Sequence, residues 1–336
     1  MDLDWKNLSF GYIKTDYNIR SYFRDGAWTT PELTTDETVT MHMAATCLHY
    51  GQEAFEGQKA FCGADGVIRI FRPEENAKRM RSSAEYLKMA LPPVDMFVDM
   101  MKRVVKANER FVPPYGTGAS LYIRPVLFGT GPQVGVKPAG EYLLIVFVTP
   151  VGPYYKEGFN PIKVLIARDH DRAAPLGTGH VKAGGNYAAS LTSAEIGHEK
   201  GYPSVLYLDA KEKKHIDECG AANFFGIRDG VYITPKSHSV LPSITNMSLM
   251  TLAAEMGLKV EQRPVDYDEL GTFDEAGSCG TAAVLSPIGS IYDPQTGHTF
   301  VYNDGKPGKW SEKLYHRLRA IQYAEEPDTY GWMAAL

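Results

Sequence analysis

The chain has 336 residues, of which 44% are hydrophobic and 22% charged, a composition typical of a folded enzyme and not of a disordered or fibrous protein. Its 40 acidic and 35 basic residues give a net charge of −5. This balance argues against a nucleic acid as the main partner, because no overall positive charge attracts a phosphate backbone. The length predicts two domains.

The longest unbroken apolar run, 142–148, is far shorter than the roughly 20 residues of a membrane-spanning helix. We therefore expect no membrane partner. The first residues contain neither a basic leader nor an apolar core, so we expect a cytoplasmic location. The cysteines lie far apart, without a C-x-x-C pair or zinc-ligand spacing, which predicts reduced thiols and no metal site: Cys47, Cys62, Cys219 and Cys279.

The first half of the chain predicts strands and two helices. A short strand at 67–71 is followed by Pro73, which favours a helix start, and by a helical pattern from Glu74 to about Met89. Two extended runs follow at 119–128 and 141–149. Between them and the first helix, apolar residues spaced by three and four predict a second helix with one buried face: Phe97, Met100, Met101, Val104 and Val105.

A segment rich in proline and glycine, 150–161, is the best candidate for a linker between domains. It divides the chain into an N-terminal domain, 1–149, and a C-terminal domain, 162–336.

The second half predicts strands at 163–167 and 204–208, and then a hairpin in which 224–227 meets 231–234 across Asp229 and Gly230. A helix from about Thr245 ends at Gly257, which suits a left-handed cap. The mixture of hairpins and helices, without a regular alternation of strand and helix, predicts the α+β class and not a doubly wound sheet.

Two residues could carry chemistry directly. Lys182 is followed by two glycines and a helix start, so the backbone can approach a flat group while the amine lies beside it. A lysine is more often a solvated surface charge, and only burial and its neighbours make it a Schiff-base amine. Glu218 lies between a turn and an apolar strand, where it is either a partly desolvated carboxylate or an ordinary acid of an exposed turn.

Other stretches could bind anions. The helix start at 241–246 and the small-residue turn at 278–283 could each serve as simple capping or could direct N–H groups at a phosphate. Tyr122 and Arg124 are two apart in a strand and so point to one face. Arg79 belongs to a basic helix that could also be a solvated face. Together these groups are what pyridoxal phosphate requires: an amine, a carboxylate, phosphate-binding groups and an arginine for the substrate carboxylate.

The order of these motifs resembles the branched-chain aminotransferases. The resemblance extends from about Leu48 to Trp332 and rests on Tyr50-Gly51, Phe55-Glu56-Gly57, Tyr122-Ile123-Arg124-Pro125, Lys182-Ala183-Gly184-Gly185-Asn186-Tyr187, Glu218 with Asn223-Phe224-Phe225, Leu241-Pro242 and Gly280-Thr281-Ala282. It implies the two-domain fold-type IV of pyridoxal phosphate enzymes, similar to D-amino-acid aminotransferase. In that fold, a smaller N-terminal α/β domain precedes a larger C-terminal α/β domain built as a pseudo-barrel.

The resemblance also implies site residues. Lys182 corresponds to the Schiff-base lysine that moves a proton, and Glu218 to the partner of the pyridine nitrogen. The implied cofactor-binding set is Arg79, Lys182, Tyr187, Glu218, Leu241, Ile244, Thr245 and Thr281. The implied substrate-binding set is Tyr50, Phe55, Tyr122, Arg124, Thr281 and Ala282. The family pattern further implies a homodimer with the active site at the subunit interface, where Tyr50 acts across to the partner.

The implied reaction is ping-pong transamination of L-leucine, L-isoleucine or L-valine with 2-oxoglutarate, which yields the branched 2-oxo acid and L-glutamate. A D-amino-acid aminotransferase, an aminodeoxychorismate lyase or a non-catalytic protein that binds pyridoxal phosphate are the alternatives. Two residues depart from the family pattern. Ser243 stands where glycine is usual, and Asn246 stands where arginine is usual, which removes a positive charge expected near the phosphate.

Overall fold

The computed structural model describes residues 3–152, 154 and 159–336. Up to residue 152 the elements are β1 (Asn18–Arg24), β2 (Ala27–Trp28), β3 (Glu32–Thr34), α1 (Thr46–Tyr50), β4 (Glu53–Phe55), β5 (Gln58–Cys62), β6 (Ile68–Phe71), α2 (Pro73–Tyr86), α3 (Val94–Ala107), β7 (Ser120–Gly129) and β8 (Tyr142–Val151).

From residue 159 onward the elements are β9 (Ile162–Ala167), α4 (Gly184–Glu199), β10 (Ser204–Leu208), β11 (Ile216–Cys219), β12 (Ala222–Arg228), β13 (Val231–Pro235), α5 (Ile244–Glu255), β14 (Lys259–Arg263), β15 (Glu275–Gly280), β16 (Val284–Tyr292), β17 (Thr299–Val301), α6 (Lys309–Gln322) and β18 (Met333–Ala335). Short 3-10 turns lie at Glu109–Phe111, Tyr267–Thr272 and Asn303–Gly305.

The chain divides into two compact units. The first contains the described residues of 1–156 together with Val181–Gly184 and Ala320–Leu336, and the second contains those of 157–180 together with Gly185–Arg319. The predicted ranges assigned Lys182 and the C-terminal segment to the second domain. In the structure, the Lys182 carbonyl accepts a hydrogen bond from the Phe55 N–H, and β18 pairs with β6, so both segments pack with the first unit.

The first unit is built on one antiparallel sheet with the strand order β18-β6-β5-β7-β8-β1-β2, to which β3 is added at β1 and β4 at β7. Helix α3 covers this sheet, and the apolar face predicted for it is confirmed, since Phe97, Met100 and Val104 are fully buried. Helix α2 begins at Pro73, as predicted, but ends at Tyr86 because Lys88 turns to a left-handed φ of 55°.

The second unit is a mixed sheet that closes on itself. Strand β11 pairs with both β10 and β12, so β9, β10, β11, β12, β15 and β16 form a ring. This ring confirms the pseudo-barrel and the α+β class. Parallel pairs occur at β9 with β10, at β9 with β16 and at β13 with β14, and the other pairs are antiparallel.

Local predictions in the second unit are also confirmed. Arg228 pairs with Val231 across Asp229 and Gly230, both at positive φ, as a tight hairpin requires. Helix α5 begins at Ile244, and Gly257 follows its end at a φ of 89°.

Two further predictions concern the linker and membrane-spanning helices. Of the predicted linker 150–161, residues 153 and 155–158 lie outside the described residues, so the linker stays a prediction. Among the helices that the structure describes, none combines the length and apolarity needed to cross a membrane.

Candidate active site

The segment around Lys182 is fixed to strand β4 of the first unit. The Phe55 N–H donates to the Lys182 carbonyl at 3.1 Å, and the Lys182 N–H donates to Ser83 Oγ at 3.1 Å. The Gly184 N–H donates to Glu53 Oε1. A Cβ added at Gly184 would overlap that carboxylate, so a larger residue there would displace the Glu53 side chain. The glycine after the predicted functional lysine therefore has a structural cause.

One aromatic ring lies beside both cations of this face. The centroid of the Phe55 ring is 4.8 Å from Lys182 Nζ and 4.9 Å from Arg124 Cζ. Such contacts stabilise a cation through the negative face of the ring. The structure thus brings together three of the predicted residues: the amine, the guanidinium and the apolar wall.

Tyr122 and Arg124 lie side by side, as their spacing predicted. Arg124 Nη2 donates to the Tyr122 hydroxyl at 3.1 Å. A Cβ on Gly57 would overlap that hydroxyl, so the glycine leaves room for the phenol. Among the described residues, the buried Arg124 Nε has no hydrogen-bond partner. A buried guanidinium N–H without a partner fits a carboxylate ligand, which can accept from two of its nitrogens at once.

Glu53 is a third charged group on this face, and the sequence analysis did not identify it. Glu53 and Phe55 are two apart on β4 and lie opposite Phe128 and Val126 of β7, so they share the face that carries Arg124. Burial raises the pKa of the Glu53 carboxyl, and the Gly184 N–H and the Arg124 charge oppose this rise. No local pattern in the sequence could have identified it, because its neighbours come from other elements.

Arg79, predicted to bind phosphate, forms a buried ion pair with Glu56. Arg79 Nε and Nη2 donate to the two carboxylate oxygens, each at 2.8 Å. Asn76 Nδ2 also donates to Glu56 at 2.7 Å. The Glu56 side chain is fully buried, so this acid fixes the direction of the guanidinium. The Phe55-Glu56-Gly57 string marked the segment, but the role of its acid emerges only in the fold.

Tyr50 lies at the end of α1, and 40% of its surface is exposed. Its hydroxyl donates to the Val134 carbonyl. Several large apolar side chains of α1, of the residues just before it and of the adjoining 131–138 loop are exposed as well, and we call them the α1 patch: Met43, Leu48, Tyr50, Val134 and Val136. The loop is joined to the segment before α1 by the Gln133 N–H, which donates to the Ala44 carbonyl.

In the second unit, Glu218 is a buried carboxylate held by three partners. Arg172 Nε lies 3.0 Å from Glu218 Oε2, and both side chains are almost fully buried. The Leu241 N–H donates to Oε1 at 2.5 Å, and Asn223 Nδ2 donates to the same oxygen at 3.4 Å. A buried acid with this set of donors is held as the carboxylate. Glu218 is therefore not an exposed turn residue, the alternative that the sequence left open.

Arg172 was not found from the sequence. Its Nη1 donates to the Ser239 carbonyl at 2.7 Å and to the Gly179 carbonyl at 3.1 Å, which fixes the guanidinium plane against Glu218. It lies in a loop far from Glu218 in the chain, so no spacing pattern joins the two. An arginine beside a polar stretch reads as a surface charge until the packing is known.

The start of α5 combines capping with available backbone donors. Ser243 Oγ accepts from the Asn246 N–H at 3.2 Å, so this side chain is the N-cap. The cap serves Asn246 and leaves the N–H groups of Ile244 and Thr245 to other acceptors. These two residues begin a 12-residue helix, whose N-terminus favours an anion.

The Asn246 side chain is fully engaged in hydrogen bonds within the second unit. Its Oδ1 accepts from the Tyr232 hydroxyl at 2.8 Å, and its Nδ2 donates to Thr234 at 2.9 Å and to Asn223 at 3.2 Å. The side chain is buried against strands β12 and β13. The departure from arginine therefore creates an internal hydrogen-bond junction that supports Asn223 beside Glu218.

The turn that carries Thr281 and Ala282 is strained. Strands β15 and β16 pair at Gly280 and Val284, with residues 281–283 between them. Val284 has a φ of 67°, which costs a β-branched residue of the order of 1–3 kcal/mol. Strain of this kind persists only where the surroundings impose it, which supports a binding role for the turn.

Tyr187 lies in the first turn of α4, half-buried.

Each unit, taken by itself, contains groups of the kinds that pyridoxal phosphate requires. The first contributes an amine, a guanidinium and an aromatic wall. The second contributes a buried carboxylate, a helix N-terminus and a strained turn. This donor set fits the cofactor, whose aldehyde, ring nitrogen and phosphate need an amine, a carboxylate and N–H donors respectively.

Comparison with known proteins agrees with this chemistry. The model of the amino-transferase class IV family matches residues 53–291. The branched-chain-amino-acid aminotransferase of Haemophilus influenzae is 48% identical to this chain, and the match covers 99% of this chain and 98% of that protein.

Solved structures agree as well. The crystal structure of the branched-chain amino acid aminotransferase of Escherichia coli has a TM-score of 0.81 and 27% identity, and covers 96% of this chain and 99% of that one. The branched-chain amino acid aminotransferase from T.th., solved with pyridoxamine 5'-phosphate, has a TM-score of 0.78 and 25% identity, with the same coverage of 96% and 99%. From the family match, the close relative and the site residues together, the chain belongs to the class IV aminotransferases and, within them, to the branched-chain-amino-acid aminotransferases.

Proposed function

We propose that this protein transfers the amino group of L-leucine, L-isoleucine or L-valine to 2-oxoglutarate with pyridoxal phosphate as cofactor. The observation that carries the proposal is the face on which Lys182, the Phe55 ring and the Arg124 guanidinium lie together. This face offers an amine for the chemistry, an apolar wall for a branched side chain and a cation for the second carboxylate of glutamate.

Lys182 is the residue that we propose to hold the cofactor and to move the substrate Cα proton. Bound pyridoxal phosphate supplies an aldehyde for the amine and a ring that accepts the electron pair released at Cα. Glu218, fixed by Arg172, supplies the carboxylate for the ring nitrogen, and Tyr187 a hydroxyl for the ring oxygen. The other proposed cofactor contacts are Arg79, Leu241, Ile244, Thr245 and Thr281.

The substrate side must accept two unlike side chains in one space. Phe55 and Tyr122 give an apolar surface on which a leucine-like side chain loses its contact with water. Arg124, with its unpartnered Nε, gives the 2-oxoglutarate side chain a charged donor that the branched side chain does not need. Thr281 and Ala282 are the proposed contacts for the substrate carboxylate that both substrates share.

We also propose a homodimer in which the α1 patch contacts a second copy of the chain and Tyr50 reaches the partner's active site. The large exposed fractions of Met43, Val134 and Val136, 82%, 87% and 85%, support this role, because large apolar side chains clustered at a surface mark an interface. Sedimentation of the purified protein tests the dimer, and a monomer at micromolar concentration would contradict it.

The cytoplasmic location also remains a prediction.

The function is tested by incubating the purified protein, loaded with pyridoxal phosphate, with each branched-chain L-amino acid and 2-oxoglutarate. We expect glutamate and the matching 2-oxo acid in equal amounts, and no transamination of D-alanine. Turnover of D-alanine without turnover of the L-amino acids would instead favour a D-amino-acid aminotransferase. Binding of the cofactor without any turnover would favour a non-catalytic protein.

A further inference from the structure

Glu53 is a carboxylate on the proposed substrate face, and the proposed reaction gives it no role. Within the described part of the chain its carboxylate forms no ion pair and accepts one hydrogen bond, from the Gly184 N–H. It shares the strand face with Arg124 and with the Phe55 ring, which lies close to both Lys182 and Arg124.

The two kinds of substrate therefore add different charges to this face. Arg124 is bonded to the neutral Tyr122 hydroxyl through one nitrogen and retains a buried Nε without a partner. The second carboxylate of a dicarboxylate substrate adds a negative charge to the face that already contains the Glu53 carboxylate. The side chain of a branched-chain substrate adds no charge. Like charges on one partly buried face repel one another more strongly than they do in water.

We propose that the Glu53 carboxylate partly offsets the positive charge of Arg124. It thereby weakens the binding of a second substrate carboxylate relative to the binding of an apolar side chain. Glu53 is thus a specificity-determining residue that shifts the preference of the shared pocket toward the branched-chain substrate. The inference rests on the proposed function, because it takes Arg124 as the group that receives the glutamate side chain.

The test uses two unreactive acids, so that binding is measured without turnover. Glutarate carries the second carboxylate, and 4-methylpentanoate carries a leucine-like side chain. Titration calorimetry of the enzyme loaded with pyridoxal phosphate gives the Kd of each. The variant Glu53→Gln keeps an oxygen that accepts from the Gly184 N–H and removes only the charge. Glu32→Gln, an exposed acid on β3, is the matched control.

We expect Glu53→Gln to bind glutarate about fivefold more tightly and to change the Kd of 4-methylpentanoate less than about twofold, because one like charge has been removed from a partly buried face. Glu32→Gln should change neither value. An unchanged or weaker affinity for glutarate would overturn the proposal. An equal gain for both acids would also overturn it, because Glu53 would then act on the shared carboxylate.

A double-mutant cycle with Arg124→Gln tests whether the effect passes through Arg124. In that background, we expect Glu53→Gln to leave the Kd of glutarate unchanged, because without Arg124 the second carboxylate is no longer held near Glu53. The same fivefold gain without Arg124 would contradict the assignment. Failure of the transaminase assay with the wild-type protein would refute the proposed function separately, because the cycle compares only the binding of unreactive acids.

Discussion

The buried pair of Arg172 and Glu218 joins a loop of the second unit to strand β11. Glu218 accepts from a guanidinium, a backbone N–H and an amide, and Arg172 is fixed by two carbonyls. A pair of this kind is stabilising only while both partners are present, because an uncompensated buried charge is costly. The orientation of the Glu218 carboxylate therefore depends on Arg172.

Arg172→Met is expected to lower the free energy of unfolding of the cofactor-free protein by about 3–5 kcal/mol, the cost of leaving one member of a buried pair alone. The double variant Arg172→Met with Glu218→Gln should recover part of this loss, because the remaining buried group is then neutral. Urea unfolding at neutral pH measures both values. A loss below about 1 kcal/mol, or no recovery in the double variant, would contradict the role assigned to the pair.

The elements show which features the sequence could predict. Pro73, the Asp229-Gly230 hairpin and the apolar face of α3 are local signals, and each lies where the pattern predicted it. The contacts between residues distant in the chain could not be predicted in this way. Glu53 meets Gly184, Glu56 meets Arg79 and Arg172 meets Glu218 because strands and loops distant in the chain pack together. Local periodicity carries no information about these meetings.

The residues drawn from the resemblance were predictable as a set, but their partners were not. Asn246 illustrates the difference, because its replacement of arginine suggested a missing charge at the phosphate. In the structure its side chain bonds to Tyr232 and Thr234 of β13 and to Asn223 of β12. Sequence identifies a departure from a pattern, whereas packing decides what the departure does.

Helix α5 gives a prediction at the scale of one element. Ser243→Ala removes the side chain that accepts from the Asn246 N–H and should lower the free energy of unfolding by about 1 kcal/mol, whereas Ser243→Gly should cost only a few tenths. Thr251→Ala, at an exposed position of the same helix, is the control and should change it by less than about 0.5 kcal/mol. Chemical unfolding measures all three, and equal losses for Ala and Gly at position 243 would contradict the capping role.

At the scale of the whole molecule, the two units contribute unlike chemistry. The first contains Lys182, Arg124 and the Phe55 ring, although Lys182 lies within the second half of the sequence. The second contains the buried Glu218 and the N-terminus of α5. The modest net charge of −5 does not reveal these local groups, because it is a sum over the whole chain.

In the proposed reaction, one site takes an amino group from a branched-chain amino acid and passes it to 2-oxoglutarate in two separate half-reactions. The most direct measurement is a single turnover with 15N-labelled L-leucine and a stoichiometric amount of the enzyme loaded with pyridoxal phosphate. We predict one equivalent of 4-methyl-2-oxopentanoate per site before any 2-oxoglutarate is added, and 15N-labelled glutamate after it is added. The absence of the 2-oxo acid in the first step, or unlabelled glutamate in the second, would contradict the account.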